Sequence, residues 1–152
     1  MKENAQHSIQ KDVEKDDYGF LTKAEKFIQE GNKEEAQKYA IMEFEKSVSS
    51  SDFTQAIEII KKYSLPKDKV ERFLILKYNE NIKKMKFKEA LEMAEKFEMG
   101  RQSIYNAAFM YFYDTLEKEK YDEAKGIIKN YNLKKDDLIK KITNLYFSKM
   151  EN

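Results

Sequence analysis

Phe53–Tyr63 reads FTQAIEIIKKY, Phe87–Phe97 reads FKEALEMAEKF and Tyr121–Tyr131 reads YDEAKGIIKNY. Each segment opens on an aromatic residue followed three places later by alanine: Phe53 and Ala56, Phe87 and Ala90, Tyr121 and Ala124. Successive copies start at 53, 87 and 121, so the interval between them is constant. A fixed period of this size marks a repeat architecture, in which one copy cannot bury its apolar face alone and stacking completes the core. In the first copy Phe53, Ala56, Ile59 and Ile60 fall on one face of a helix, and the other copies follow the same spacing.

The segments between these copies carry the same period. Val70, Leu74, Tyr78 and Ile82 align with Ile104, Ala108, Phe112 and Leu116, then with Leu138, Ile142, Tyr146 and Met150. One step backward gives Ala36, Ala40, Phe44 and Val48. Ahead of them Leu21, Ala24, Phe27 and Ile28 form a further helix over about Phe20–Glu30. The expected fold is therefore all-α, with about four helix-turn-helix repeats and about eight helices. In each pair the aromatic-x-x-Ala helix is termed B and the helix after it A. Ala24 stands two positions closer to Ala56 than Ala56 does to Ala90, so the first pair is expected to have a turn two residues shorter.

Local signals place the ends. Gly31 suits the residue after a helix, and Asn32 with Glu35 reads as a capping box. Asp52 closes a serine-rich loop as a helix cap, and Pro66 suits a first helical turn. Gly100 is placed to supply positive φ at a helix end. Gly126 lies inside a B helix, where it costs about 1 kcal/mol against alanine. Either close helix contact or tolerance in a terminal unit accounts for it.

Composition agrees. Four glycines and one proline in 152 residues leave few breakers, and 41% apolar content supports a packed core. Residues 1–17 form a flexible polar tail with only Ile9 and Val13 as large apolar residues, and 18–152 form the helical-repeat domain. The formal net charge of +1 supplies no overall field for nucleic acid or an acidic membrane surface. No cysteine is present, which excludes disulfides and thiolate metal sites, and the single histidine, His7, sits in the polar tail. No apolar run approaches the ~20 residues of a membrane span, and no secretory h-region opens the chain. A cytoplasmic location follows by default.

The 34-residue helix-turn-helix period and the Lys120-Tyr121-Asp122-Glu123-Ala124 step resemble tetratricopeptide repeats, with Phe87-Lys88-Glu89-Ala90 and Phe53-Thr54-Gln55-Ala56 as looser copies. The resemblance covers about 20–150 and implies a right-handed α-solenoid that binds a peptide or protein on a surface lined by A helices. Tyr78, Phe112 and Tyr146 stand where the family has a small residue, which implies altered helix-pair angles.

No catalytic constellation is legible. The usual nucleophile–base pairs, metal clusters and glycine-rich phosphate loops are missing, so neither enzyme activity nor a cofactor is expected. The carboxylate pairs Asp16-Asp17, Glu34-Glu35 and Asp136-Asp137 lie at expected helix starts, where negative charge complements the helix dipole. The segment Ile104–Tyr113 is more apolar than a single core face requires. Ile41, Ile75 and Phe109 are read as packing between A helices. Tyr105, Met110 and Tyr113 are candidates for a binding groove, since tyrosine joins an apolar ring to a polar tip. Lys38, Arg72, Asn106 and Lys140 recur at the repeat period and form a polar ladder able to meet an acidic segment. The leading expectation is a protein-interaction module using Tyr105, Met110 and Tyr113, flanked by Arg72, Lys38 and Lys140. A homodimer closed by Leu145, Phe147 and Met150 is the alternative. An RNA-binding helical repeat is a third reading, against which the near-zero charge argues.

Overall fold

A computed structural model describes residues 19–151. The tail of residues 1–17, with His7, Ile9 and Val13, lies outside the described residues. The described chain folds into eight helices: α1 (Phe20–Gln29), α2 (Lys33–Ser49), α3 (Phe53–Tyr63), α4 (Lys67–Lys83), α5 (Phe87–Lys96), α6 (Arg101–Glu117), α7 (Tyr121–Tyr131) and α8 (Lys135–Met150). Odd-numbered helices are the B helices and even-numbered ones the A helices. The fold is an all-α helical repeat in which consecutive helices pack. The chain divides into two compact units, the first ending at Phe73 and the second beginning at Leu74, inside α4.

In the first unit α2 packs on α1 and α3. The alanines of the period make this approach close: Ala24, Ala36, Ala40 and Ala56 are fully buried. Phe44 and Val48 fill the space beside them, and the Phe44 ring meets Phe73 edge-on at 5.6 Å between centroids. The Gln37 amide donates to the carbonyls of Tyr63 at 3.2 Å and Ser64 at 2.9 Å, satisfying acceptors at the end of α3.

The second unit repeats this plan. α6 packs on α5 and α7, with Ala90, Ala94, Ala107, Ala108 and Ala124 buried between them. Phe87, Leu91, Met93, Phe109, Phe112 and Ile127 complete its core. Tyr78 reaches toward α6 and donates its hydroxyl to the Ser103 carbonyl at 2.8 Å. Tyr78 therefore links α4 to the next A helix, α6. The aromatic-x-x-Ala step is kept less evenly. Phe53 and Phe87 are buried but Tyr121 is exposed, its polar hydroxyl suited to water.

The turns carry the period in the backbone. Ser51, Met85 and Glu119 all adopt left-handed φ, and they recur at the repeat period. Ser64, Glu98 and Asn132 do the same at the ends of α3, α5 and α7. After α4, for example, Met85 donates its N–H to Ile82 and Lys86 donates to Asn81, at 3.0 and 2.8 Å. These bonds satisfy the last carbonyls of the helix. The left-handed residue ending α5 is thus Glu98; Gly100, also at positive φ, is the N-cap of α6. Gly31 ends α1 with positive φ, as expected.

The shortening of the first pair is shared between helix and turn. Gly31 follows Ala24 by seven places and precedes Lys33 by two, against eight and three for the later pairs, such as Ala56, Ser64 and Lys67. Asn32 and Asp52 accept from the N–H groups of Glu35 and Gln55 at 3.2 and 3.1 Å. The capping box is only half made. The Asn32 N–H already donates to Phe27, and the Glu35 carboxylate pairs with Lys38 at 2.5 Å. Pro66 sits just before α4, where its carbonyl accepts from Val70 at 3.1 Å.

Candidate functional site

The A-helix surface of the second unit is formed by α6 and α8. Their facing residues follow from helix geometry: Asn106, Phe109, Met110 and Tyr113 on α6 lie at i, i+3, i+4 and i+7. Asn106, Phe109 and Met110 meet Lys141, Asn144 and Leu145 of α8 around a cleft of about 280 Å³. Its floor is the buried Phe109 ring with the half-buried Met110 and Leu145. Lys141 places its ammonium 4.9 Å from the Tyr105 ring centre and 4.8 Å from that of Phe109. The result is an apolar cleft with amide and cationic groups at its edge.

Of the residues expected to line a groove, Met110 does so. Tyr105 is half-buried beside it and donates its hydroxyl to Asp137 at 3.1 Å. Burial, then this bond, raises the Tyr105 pKa above the ordinary phenol value, so the hydroxyl stays a donor. Tyr113 departs from its expected place. It is only 8% exposed and packs edge-on against Tyr146 at 6.4 Å. Its hydroxyl donates to Glu117 at 2.5 Å and accepts from Lys149 at 3.3 Å. Helix position explains the difference: Tyr113 continues the Phe109 row that α8 covers, whereas Met110 lies one step around the helix.

The basic ladder divides between the units, with Lys38 and Arg72 in the first and Asn106 and Lys140 in the second. Lys38, Arg72 and Lys140 are exposed, and Lys38 is tied to Glu35. Asn106 accepts from the Gln102 amide at 2.9 Å. Ile75, expected to pack between A helices, is exposed; Phe109 is buried and Ile41 half-buried.

Lys141 and Asn144 are not singled out by the residue pattern. Their signal is the spacing of 141, 144 and 145, which sets them opposite 106, 109 and 110. On another face of α8, Ile139, Phe147 and Met150 form an exposed apolar row, with Phe147 at 58% and Met150 at 71%. Leu145 belongs to the cleft and not to that row.

Among the described residues no cluster of three or more His, Cys, Asp or Glu side chains is placed to hold a metal ion, and no helix is long and apolar enough to cross a membrane. Comparison of the chain with protein-family models, characterised proteins and solved structures finds no significant match to any of them.

Proposed function

We propose that the protein is a non-enzymatic interaction module that takes a peptide or protein segment on the A-helix surface of its second unit. The carrying observation is the cleft between α6 and α8, where Phe109, Met110 and Leu145 offer apolar contact and Asn106, Asn144 and Lys141 offer polar contact. This mixture of apolar floor and few polar groups suits a segment with one or two apolar anchors. Tetratricopeptide-like organisation supports the same reading by analogy. Tyr111 is poorly suited to proton transfer at neutral pH. Its phenol is pushed up to about 12 by burial and by Glu123, far from the neutral range where an acid–base group works.

Site-specific photo-cross-linking in the native lysate tests the reading. A cross-linker replacing Asn144 should capture a discrete partner, and the same group replacing Lys61 on α3 should not. Met110→Asp should abolish capture without lowering helicity. Equal capture from both positions, or capture unaffected by Met110→Asp, defeats the proposal.

Self-association is a second reading, and the exposed row on α8 favours it. The α6 positions equivalent to Ile139 and Phe147 are Tyr105 and Tyr113, both of which contact α8. A second copy could cover the α8 row in the same way. Sedimentation equilibrium should then show association that Phe147→Lys with Met150→Lys removes. A monomer at every concentration rules this reading out.

A further inference from the structure

A second cleft, larger than that between α6 and α8, lies between the B helices α5 and α7. Lys88, Leu91, Glu92 and Glu95 line it from α5, at i, i+3, i+4 and i+7. Glu123, Gly126, Ile127, Asn130 and Tyr131 line it from α7, and Tyr111 from α6. Its volume is about 480 Å³, within the ~300–1,000 Å³ of small-ligand sites.

Gly126 is the first reason to assign this cleft a ligand. A Cβ added there would meet nothing within 4 Å, so the contacts of the chain itself do not require glycine. Nor does backbone conformation, since Gly126 has ordinary helical φ within α7. The missing side chain therefore opens the cleft at a cost to the helix of about 1 kcal/mol. Of the two accounts the sequence leaves open, close contact with a neighbouring helix is not the one the packing supports.

The lining supplies the second reason. Leu91 and Ile127 form an apolar base, while Glu92, Glu95 and Glu123 set three carboxylates against the single ammonium of Lys88. Two carboxylates are held in place by phenols. Tyr131 donates to Glu95 Oε1 at 2.9 Å across the cleft, and Tyr111 donates to Glu123 Oε1. Burial, then these bonds, pushes both phenols up to about 12, so they remain donors at neutral pH. Among the described residues the second oxygen of Glu95 takes no other hydrogen bond or ion pair, whereas that of Glu123 lies 3.9 Å from the Lys120 ammonium. The Glu92 carboxylate makes no hydrogen bond or ion pair with another described residue.

We infer that the α5/α7 cleft binds an arginine side chain carried between aliphatic residues on a partner peptide segment. Two carboxylates from α5 suit the planar guanidinium fork, and the Tyr111 and Tyr131 rings offer faces on which it stacks. Lysine, a compact and strongly hydrated charge, gains less from this arrangement. Leu91 and Ile127 receive the aliphatic neighbours, and the open place beside Gly126 admits the peptide backbone.

The test titrates the isotope-labelled full chain by NMR with the acetylated, amidated peptide Ala-Leu-Arg-Leu-Ala. Its counterpart carries citrulline, the uncharged isostere, in place of arginine. The arginine peptide should shift the amide resonances of Gly126, Glu92 and Asn130 saturably, and the citrulline peptide should bind on the order of tenfold more weakly, the loss of one charge-assisted pair. Gly126→Leu should block binding while raising or preserving the unfolding temperature, which separates occlusion from misfolding. Glu92→Gln should weaken binding without disturbing the tyrosine bonds. Met110→Asp should leave it intact, separating this cleft from the α6/α8 cleft. Absence of shifts at millimolar peptide, equal binding of citrulline, or undiminished binding by Gly126→Leu overturns the inference.

Discussion

α6 and α8 occupy the same place in successive repeats and are buried to very different extents. In α6, Phe109, Phe112 and Tyr113 are all buried; in α8 the equivalent Thr143, Tyr146 and Phe147 are all exposed. Only Leu138 of α8 is fully enclosed, although Ile142, Tyr146 and Met150 continue the core spacing. The contrast shows that α6 has two apolar faces. One packs within its own pair and the other meets α8 through Tyr113 and Tyr146. α6 uses both, whereas α8 leaves the second open. Tyr78 and Phe112 therefore contribute to stability through contacts that Tyr146 lacks on that side.

Replacing equivalent residues tests this contrast most strongly. Phe112→Ala should cost about 3–5 kcal/mol, the range for a buried phenylalanine. Tyr146→Ala should cost about 1 kcal/mol, chiefly its edge-on contact with Tyr113. Urea unfolding of the two variants measures both, and equal losses would show that α8 is covered in solution.

A smaller effect should appear at high pH. Tyr111 of α6 and Tyr131 of α7 are pushed up to about 12, above the ~10 of an unfolded phenol. A raised pKa means that the folded chain holds these protons more tightly. Their contribution is complete below pH ~10 and is lost as pH rises through about 12. Phenolate absorbance should show a late-titrating class, reduced by one in Tyr131→Phe. Titration of all phenols together near 10 would break the assignment.

The smallest expected change is in the turn that ends α6. Glu119 holds φ of 58°, which disfavours a side chain. Glu119→Gly should stabilise by about 0.5 kcal/mol, because relief of that strain exceeds the entropy glycine adds to the unfolded chain. A lower unfolding temperature would place the value of Glu119 in its side chain.

The fold is legible in the sequence because burial and period coincide. Ala24, Ala56, Ala90 and Ala124, and the row Ala36, Ala40, Phe44 and Val48, stand out by spacing and are buried. The candidate site is less legible. Met110 lines the cleft, but Tyr113 and Ile75 exchange their expected roles. Apolar character does not say whether a second helix covers a residue. Helix angle and neighbour decide that, and a single row of repeats contains neither. Gly126 shows the same limit, since its meaning depends on what a side chain there would meet.

The left-handed turn residues constrain how the length of the chain can change. Ser51, Met85 and Glu119 share a backbone conformation while sharing no side-chain chemistry, so these positions tolerate substitution. They tolerate insertion poorly. One extra residue in a helix turns everything after it by about 100° and sends the next apolar row toward water. Adding a whole repeat unit restores both the turn and the facing, because the left-handed positions recur at that interval. Growth or loss by complete units is thus the edit that this architecture accommodates, with single-residue changes confined to places such as the Gly31 turn, where the first pair already differs.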